Sequence, residues 1–364
     1  MKIIFFTPED VDGSASSRFR AHQFISTFEA ENITCVFSPF VNKGLKKYYF
    51  SRGWLVIPLK VFFFVSAFLR RFLDLFKVVN CDLVFIHRNI VPIGPEIFAF
   101  IIKRILRKPI IFDFDDAIYL SVTSEANKYI KWLKLNHLRT RQNILLADCV
   151  IAGNRTLALF AKQYNDNVRI IPTVVDMKIN TNPTSKVKGS EQKITIGWAG
   201  SYGTTPFIGL ILSALKTLLL KFPDLEVVLQ GYVGDLKFDR LRLVPWTLIS
   251  ERSCWLTFDI GINPLPDNEF TRGKCGFKIV QYMALGIPSV VSPVGENAEI
   301  LEDGKQGFWA NNEKEWVEKL GLLIQDAALR QKMGQAARQR AENMYSIDAV
   351  KDEYLAIFQE VAAK

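Results

Sequence analysis

The 364-residue sequence has few histidines, no paired cysteines and no long apolar run, and each shortage removes a class of function. Its three histidines, His22, His87 and His137, stand far apart without metal-ligand spacing, and none is given a role. The five cysteines, Cys35, Cys81, Cys149, Cys254 and Cys275, form no CxxC pair. Several lie inside apolar runs, the pattern of buried free thiols in a reducing cytosol. The longest apolar run, Val61 to Leu69, falls well short of the roughly 20 residues that a membrane-spanning helix needs. The opening MKIIFFTPED reads as a first strand and not as a signal peptide, because its apolar run is short and acidic residues follow at once. There is no arginine-rich arm and no nucleic-acid module, so nucleic acid is not an expected partner. Low-complexity runs are also missing, and a chain that is 49% hydrophobic folds throughout.

The length suits two cores. IIFFTP, TCVFSP, DLVFIHR, PIIFDFDD, DCVIAGN and VRIIPT are short β-branched or aromatic runs separated by helix-length stretches, which predicts a parallel sheet with crossover helices. The polar, turn-rich segment from Pro172 to Lys193 is the linker. ITIGWAG, EVVLQG, DIGINPL, PSVVSPV and GFWA then build a second sheet. The expected division is a first domain at 1–175, a linker at 176–193, a second domain at 194–345, and a C-terminal helix at 346–364 that packs back toward the first domain. In such sheets ligands sit beyond the carboxyl ends of the strands, so the loops TPEDVDGSAS and WAGSYGTT are expected to converge on a cleft between the domains.

The net charge of +9 needs a destination. From Gly53, bulky apolar residues mix with Lys60, Arg70, Arg71 and Lys77, and FAFIIKRILRK, ending at Lys108, repeats the mixture. Either these are core helices with charged edges, or they rest on an anionic membrane surface with the cations reaching headgroups.

RGKCGFKIVQYMALGIPSVVSPVGEN carries the chemistry. Gly273 and Gly276 allow close backbone approach, and the helix Phe277 to Leu285 aims its amides at a ligand, which favours an anion. Lys274 and Lys278, four apart, can lie together on one side of that helix start and hold a diphosphate. The alternative is a solvated lysine pair before an ordinary helix. Gly286 caps the helix and Pro288 stops it. Glu296 and Asn297 open the next helix, where they either cap it or face hydroxyls of a ligand.

With GWAGSYGTT, DIGINPLPD, GKCGFKIVQYMALGIPSVVSPVGEN and FDFDDAIY on the page, the chain resembles a glycosyltransferase of the GT-B fold, in particular glycosyltransferase family 4. The resemblance implies an α/β fold of two Rossmann-like doubly wound domains facing across a cleft. It implies transfer of a sugar from a nucleotide-diphosphate sugar with retention of configuration, with no cofactor and no bound metal. The donor is then expected on the second domain and the acceptor on the first. Lys274 and Lys278 would neutralise the departing diphosphate, and Gly200, Ser201, Gly203 and Thr204 would contact the same phosphates. Gly276, Phe277, Glu296 and Asn297 complete the expected donor set. Gly13, Ser14, Arg18 and Asp113 are the acceptor-side candidates.

Departures from the family pattern are specific. The glutamate that grips the ribose is Gln281 here, and its partner eight residues earlier is Gly273, so that role falls vacant or moves to Glu269 or Asp267. GWAGSYGTTPF lacks the usual basic pair, which shifts charge compensation onto Lys274 and Lys278, helped by Arg18, Arg20 or Arg272.

Asp113-Phe-Asp115 has the form of a metal-binding DxD, but a whole second α/β domain with its own phosphate turn follows it. Asp113, Asp115 and Asp116 are read as a strand end facing the cleft, with Asp115, Asp116 and Lys278 as the catalytic candidates; capping or pairing with an arginine is the alternative. Arg88, Asn154 and Arg155 are further cleft candidates, and Trp198 and Trp246 are read as core. The expected mechanism is front-side displacement with a phosphate oxygen taking the acceptor's proton. The expected acceptor is a lipid-linked saccharide or polysaccharide in envelope or exopolysaccharide assembly, handled by a cytoplasmic protein at the inner face of the membrane. An epimerase or hydrolase on the same fold, and an inactive nucleotide-sugar-binding protein, are the rival readings.

Overall fold

The computed structural model describes residues 1–11, 13, 15–42, 57–120, 135–178 and 193–363. Ser14 and most of the expected linker 176–193 lie outside the described residues. Two compact units divide the chain: Met1–Thr173 with Val350–Lys364, and Val174–Ala349.

In the first unit β1 (Lys2–Glu9), β2 (Thr34–Val41), β3 (Leu83–His87), β4 (Ile110–Phe114), β5 (Cys149–Ala152) and β6 (Val168–Ile170) form one parallel sheet in the order β2-β1-β3-β4-β5-β6. Runs such as LVFIH are buried at every position, as expected of parallel strands covered on both faces. Phe37, Phe5 and Phe85 occupy paired positions on β2, β1 and β3, with ring centroids 4.8 and 5.0 Å apart, and tie these three strands together from the sheet edge inward. The strand order turns between β1 and β3, so the loops after these strands splay apart there and leave room at the carboxyl edge.

The helix Ile347–Ala362 begins where Ser346 Oγ accepts the Ala349 N–H at 3.1 Å, a side-chain cap. Further along, Tyr354 packs on Phe24 and Phe358 on Phe28, all within the first unit.

The second unit holds β7 (Ile194–Ala199), β8 (Leu225–Gln230), β9 (Leu241–Val244), β10 (Ile260–Asn263), β11 (Ser289–Val291) and β12 (Gly307–Trp309). They too are all parallel, in the order β12-β11-β10-β7-β8-β9, and the order turns between β7 and β10. The fold is therefore two doubly wound α/β units, as the strand pattern implies. β9 is an addition to that pattern: its sequence, LRLV, is an edge strand with no buried residue.

The basic apolar segment, for which a core helix and a helix resting on a membrane surface were both open, forms the helix Ile57–Val79, which exposes Phe62, Val65, Leu69, Leu73 and Phe76 while Arg70 and Arg71 bond inside the unit. Arg71 is fully buried, bonded to Ser38 and, at 3.0 Å, to the buried Asp74. Lys77 pairs with the same Asp74 at 2.8 Å, and Arg70 donates to the Phe40 carbonyl at 2.9 Å. Burying a guanidinium is tolerated only with partners, here Ser38 of β2, Asp74 of the same helix and the Ile90 carbonyl. The second basic segment runs as an α-helical turn, Ile97–Phe100, into a π turn, Ile101–Ile105. Phe98 packs edge-on against Phe68 and Phe72, which places this segment beside the longer helix.

All five cysteines are free; Cys35 is half-buried and the others are buried. Among the described residues no helix is long and apolar enough to cross a membrane.

Candidate active site

The second unit collects the expected donor residues at the carboxyl edge beside its turn in strand order. β7 ends in Trp198, almost wholly buried, and Ala199; the loop from Gly200 follows. A Cβ on Gly200 would lie 2.1 Å from the Trp198 ring, so only glycine lets the chain double back over the indole. The loop then closes on itself. Ser201 N–H donates to Thr204 Oγ1 at 3.1 Å, and the Thr204 and Thr205 amides donate to the Ser201 carbonyl at 2.9 and 3.0 Å. Gly200 N–H is spent on Gln230. The amides of Gly200, Ser201 and Thr204 are thus committed within the unit. Gly203 has open space around it.

Lys278 meets this loop from the helix Phe277–Ala284. Its Nζ donates to Thr204 Oγ1 at 3.3 Å and stands 4.7 Å from the centre of the Trp198 ring. Burial, with the nearby Lys274 ammonium second, pushes the Lys278 ammonium down to about 7. Lys274 Nζ lies 4.2 Å from the centre of the Phe270 ring. Gly276, at the N-cap, has φ +56°, and a Cβ there would also strike Ile300 at 2.4 Å. Gly286, at φ +67°, ends the helix with Ile287 N–H bonded to the Tyr282 carbonyl, so the expected stop is built as a Schellman turn. Gln281, three residues after Lys278, is half-buried.

Neither Glu296 nor Asn297 caps the helix Glu296–Ile300 with its side chain. Asn297 is buried and bridges two strand ends, donating to the Ser292 carbonyl at 3.0 Å and accepting from Asn263 at 3.3 Å. Glu296 is pushed up to about 7 by burial and then by Glu299. Arg272 and Asp267, both proposed as helpers, are spent on each other at 2.6 and 2.9 Å. Trp246 is 38% exposed and so is not core.

In the first unit Asp113, alone of the acceptor-side candidates, meets the catalytic candidate Asp115 at the ends of β3 and β4, together with Ser16 and His87, to which the sequence reading gave no role. Asp113, fully buried, is gripped by two nitrogens of the buried Arg20 and faces His87 Nδ1 at 2.7 Å. His87 Nε2 lies 2.8 Å from Ser16 Oγ, which lies 2.6 Å from Asp115 Oδ2. Arg88 Nε donates to Asp115 Oδ1 at 2.7 Å, from a backbone held at φ +61°. Burial acts to raise Asp115, but Arg88, His87, Arg20 and the Ser16 hydroxyl outweigh it and hold the carboxyl well below its usual range. Asp116 Oδ1 accepts the Ala117 N–H at 3.0 Å.

Asp113 and Asp115 each face a guanidinium, an arrangement that does not fit a metal-binding DxD pair. Arg20 is likewise lost to charge compensation. Arg18 lies over the Phe19 ring, and Gly13 is held tight against Glu9, where a Cβ would approach to 2.7 Å. Asn154 caps the helix Arg155–Ala161 through the Leu157 N–H at 2.8 Å, so it is structural.

Residues 271–340 match the family model described as Glycosyl transferases group 1. The matched stretch includes Lys274, Lys278, Gln281 and Glu296. The chain is 28% identical over 81 residues to spore coat protein SA of Bacillus subtilis (strain 168), a match covering 21% of this chain and 22% of that protein. Similar solved structures extend over the whole chain. The glycosyltransferase from Rickettsia africae ESF-5 matches with a TM-score of 0.67 at 14% identity, over 99% of this chain and 98% of that one. Sucrose-phosphate synthase from Thermosynechococcus elongatus matches with 0.66 at 12% identity, over 100% and 99%. Anabaena HepE in complex with UDP-glucose matches with 0.66 at 14% identity, over 99% and 100%. At these identities the likeness shows the GT-B fold alone.

Proposed function

We propose that the protein is a retaining glycosyltransferase of family 4, moving a sugar from a uridine-diphosphate sugar to a lipid-linked saccharide in envelope or exopolysaccharide assembly. The observation that carries the reading is the place of Lys278: a desolvated ammonium at the start of an eight-residue helix, aimed at the loop after β7. That is where a diphosphate meets both the helix amides and a cation. As the bond from the sugar to the phosphate breaks, negative charge grows on the leaving diphosphate, and Lys278 and Lys274 stabilise it without a metal. The acceptor hydroxyl attacks on the face the diphosphate leaves, and a phosphate oxygen takes its proton. Gln281 accepts one ribose hydroxyl and donates to the other. Asp115 and Asp116 orient the acceptor; Asp115, held so firmly ionised, is a poor base. The uridine donor follows the UDP-glucose bound by HepE.

The lipid acceptor is supported by the exposed face of the helix Ile57–Val79, where Phe62, Leu69, Leu73 and Phe76 recur at helical spacing with Phe100 and Ile105 nearby in the adjoining segment. A cytoplasmic protein resting on the inner leaflet follows from it. Arg71, being buried, takes no part in lipid contact.

Gly273 and Gln281, standing where glutamates belong in the family, favour a second reading as an inactive nucleotide-sugar-binding protein. Incubation with UDP-sugars and a labelled membrane lipid extract separates these readings. UDP release that depends on the extract and labels a lipid supports transfer. Release without acceptor supports a hydrolase, an isomerised donor without release supports an epimerase, and binding with neither supports the inactive protein.

A further inference from the structure

We propose that His87 is a positioning residue that sets, through Ser16, whether Asp115 Oδ2 is free to accept a hydroxyl of the acceptor. The inference rests on the acceptor-side reading of the first unit, and its experiment stands apart from that reading.

Proton supply limits which of these contacts can be made at once. Ser16 has one hydroxyl proton and two groups within reach of it, Asp115 Oδ2 at 2.6 Å and His87 Nε2 at 2.8 Å. Asp113, bound by Arg20, can only accept, so His87 Nδ1 keeps its proton and donates to it at 2.7 Å. Two arrangements follow, one that makes every contact and one that gives up the bond to Asp115. With a proton on Nε2 as well, the ring donates to Ser16, and Ser16 donates to Asp115. When that proton leaves for solvent, Ser16 turns its hydrogen to Nε2, and Asp115 Oδ2 is left with a free lone pair. Asp115 Oδ1 stays bound to Arg88 throughout, so only this second oxygen changes state.

The charged groups around the ring are few and named. Asp113 comes from β4, Asp115 and Asp116 from the segment after it, and Arg20 from the helix Ala15–Arg20. Arg88 neighbours His87 in sequence, and Tyr354 of the C-terminal helix faces Arg20 and Asp113. His87 is fully buried with both ring nitrogens engaged. It therefore acts through Ser16 and touches no acceptor itself.

The test uses the full-length, nitrogen-15-labelled protein. Its three histidines give three ring patterns in long-range proton–nitrogen spectra recorded from pH 5 to 9. The neutral His87 ring is expected as the Nδ1–H tautomer, and below its transition both nitrogens carry protons. In Ser16→Ala the transition moves to lower pH, because the imidazolium loses its link to the Asp115 carboxylate. Ser16→Thr, which keeps the hydroxyl, restores it. An Nε2–H neutral tautomer, or identical titrations in wild type and Ser16→Ala, overturns the proposal; the wild-type tautomer alone decides if Ser16→Ala does not fold. UDP binding is measured beside it: loss of UDP binding with intact coupling sinks the donor reading alone, and intact UDP binding without coupling sinks this one alone.

Discussion

Lys278 holds its ammonium over the indole of Trp198, so the cation proposed to receive a diphosphate rests on an aromatic face at the end of β7. Replacing Lys278 with Ala is expected to lower kcat by about 10²–10³-fold, the scale seen when one stabilising group is removed from a developing charge. Steady-state rates with the cognate UDP-sugar and acceptor check it, and unchanged turnover removes the phosphate assignment.

The same residue predicts a pH dependence of donor binding. In the empty site Lys278 sheds its proton near pH 7, and a bound diphosphate favours the charged form. Affinity for UDP is then full below pH 7 and falls as the pH rises above it, by at most about tenfold per unit. Titration calorimetry at pH 8 in buffers of different ionisation enthalpy should show proton uptake on binding. A flat profile from pH 6 to 9 in wild type rules the coupling out.

Glu296 gives a stability test of opposite chemical origin. Its folded value of about 7 lies above the ordinary glutamate value of 4.5, so the folded state binds the extra proton between these limits. Its contribution is therefore favourable at low pH and is lost as the pH rises through 7. Glu296→Gln is expected to raise Tm by a few degrees at pH 8 and to leave it unchanged at pH 4. Equal Tm values for the two proteins at both pH values would show that the carboxyl is not desolvated.

Gly200 is a packing position as well as a loop position. Gly200→Ala forces a methyl into the Trp198 ring and is expected to cost about 1–3 kcal/mol of stability. Urea unfolding reads it, and Gly203→Ala, with nothing within 4 Å of the added carbon, is the matched control with little change.

The exposed face of the long helix predicts lipid binding that acidic residues placed on the apolar side abolish. Leu73→Asp with Phe76→Asp should remove co-sedimentation with vesicles containing anionic lipid while leaving UDP affinity intact. Retained sedimentation in the double variant would move the lipid contact elsewhere.

Much of the fold was legible because parallel strands buried on both faces, such as IIFFT and LVFIH, read as short apolar runs. β9 was missed for the converse reason: LRLV at a sheet edge buries nothing and offers no such run. The donor half of the site was legible as well, since Lys274, Gly276, Lys278 and Gln281 fall within one short stretch. The acceptor half was only half legible. Asp113 and Asp115 declared themselves by charge at a strand end, whereas Ser16 and His87 are 71 residues apart in sequence and meet only through the strand order. A signal was present: DLVFIHR and PIIFDFDD both end in polar residues, and neighbouring parallel strands bring such ends together. The helical cations misled because Arg71 and Lys77 share Asp74, an acidic residue on the same helix that the apolar pattern concealed.

The clasp of Arg71 and Asp74 on Ser38 has a mechanical result. It fastens the greasy helix to the sheet that also carries His87 and Asp115, so that helix cannot peel away to burrow into lipid alone. Whatever interface the helix meets, the sheet bearing His87 is tethered to it through Ser38.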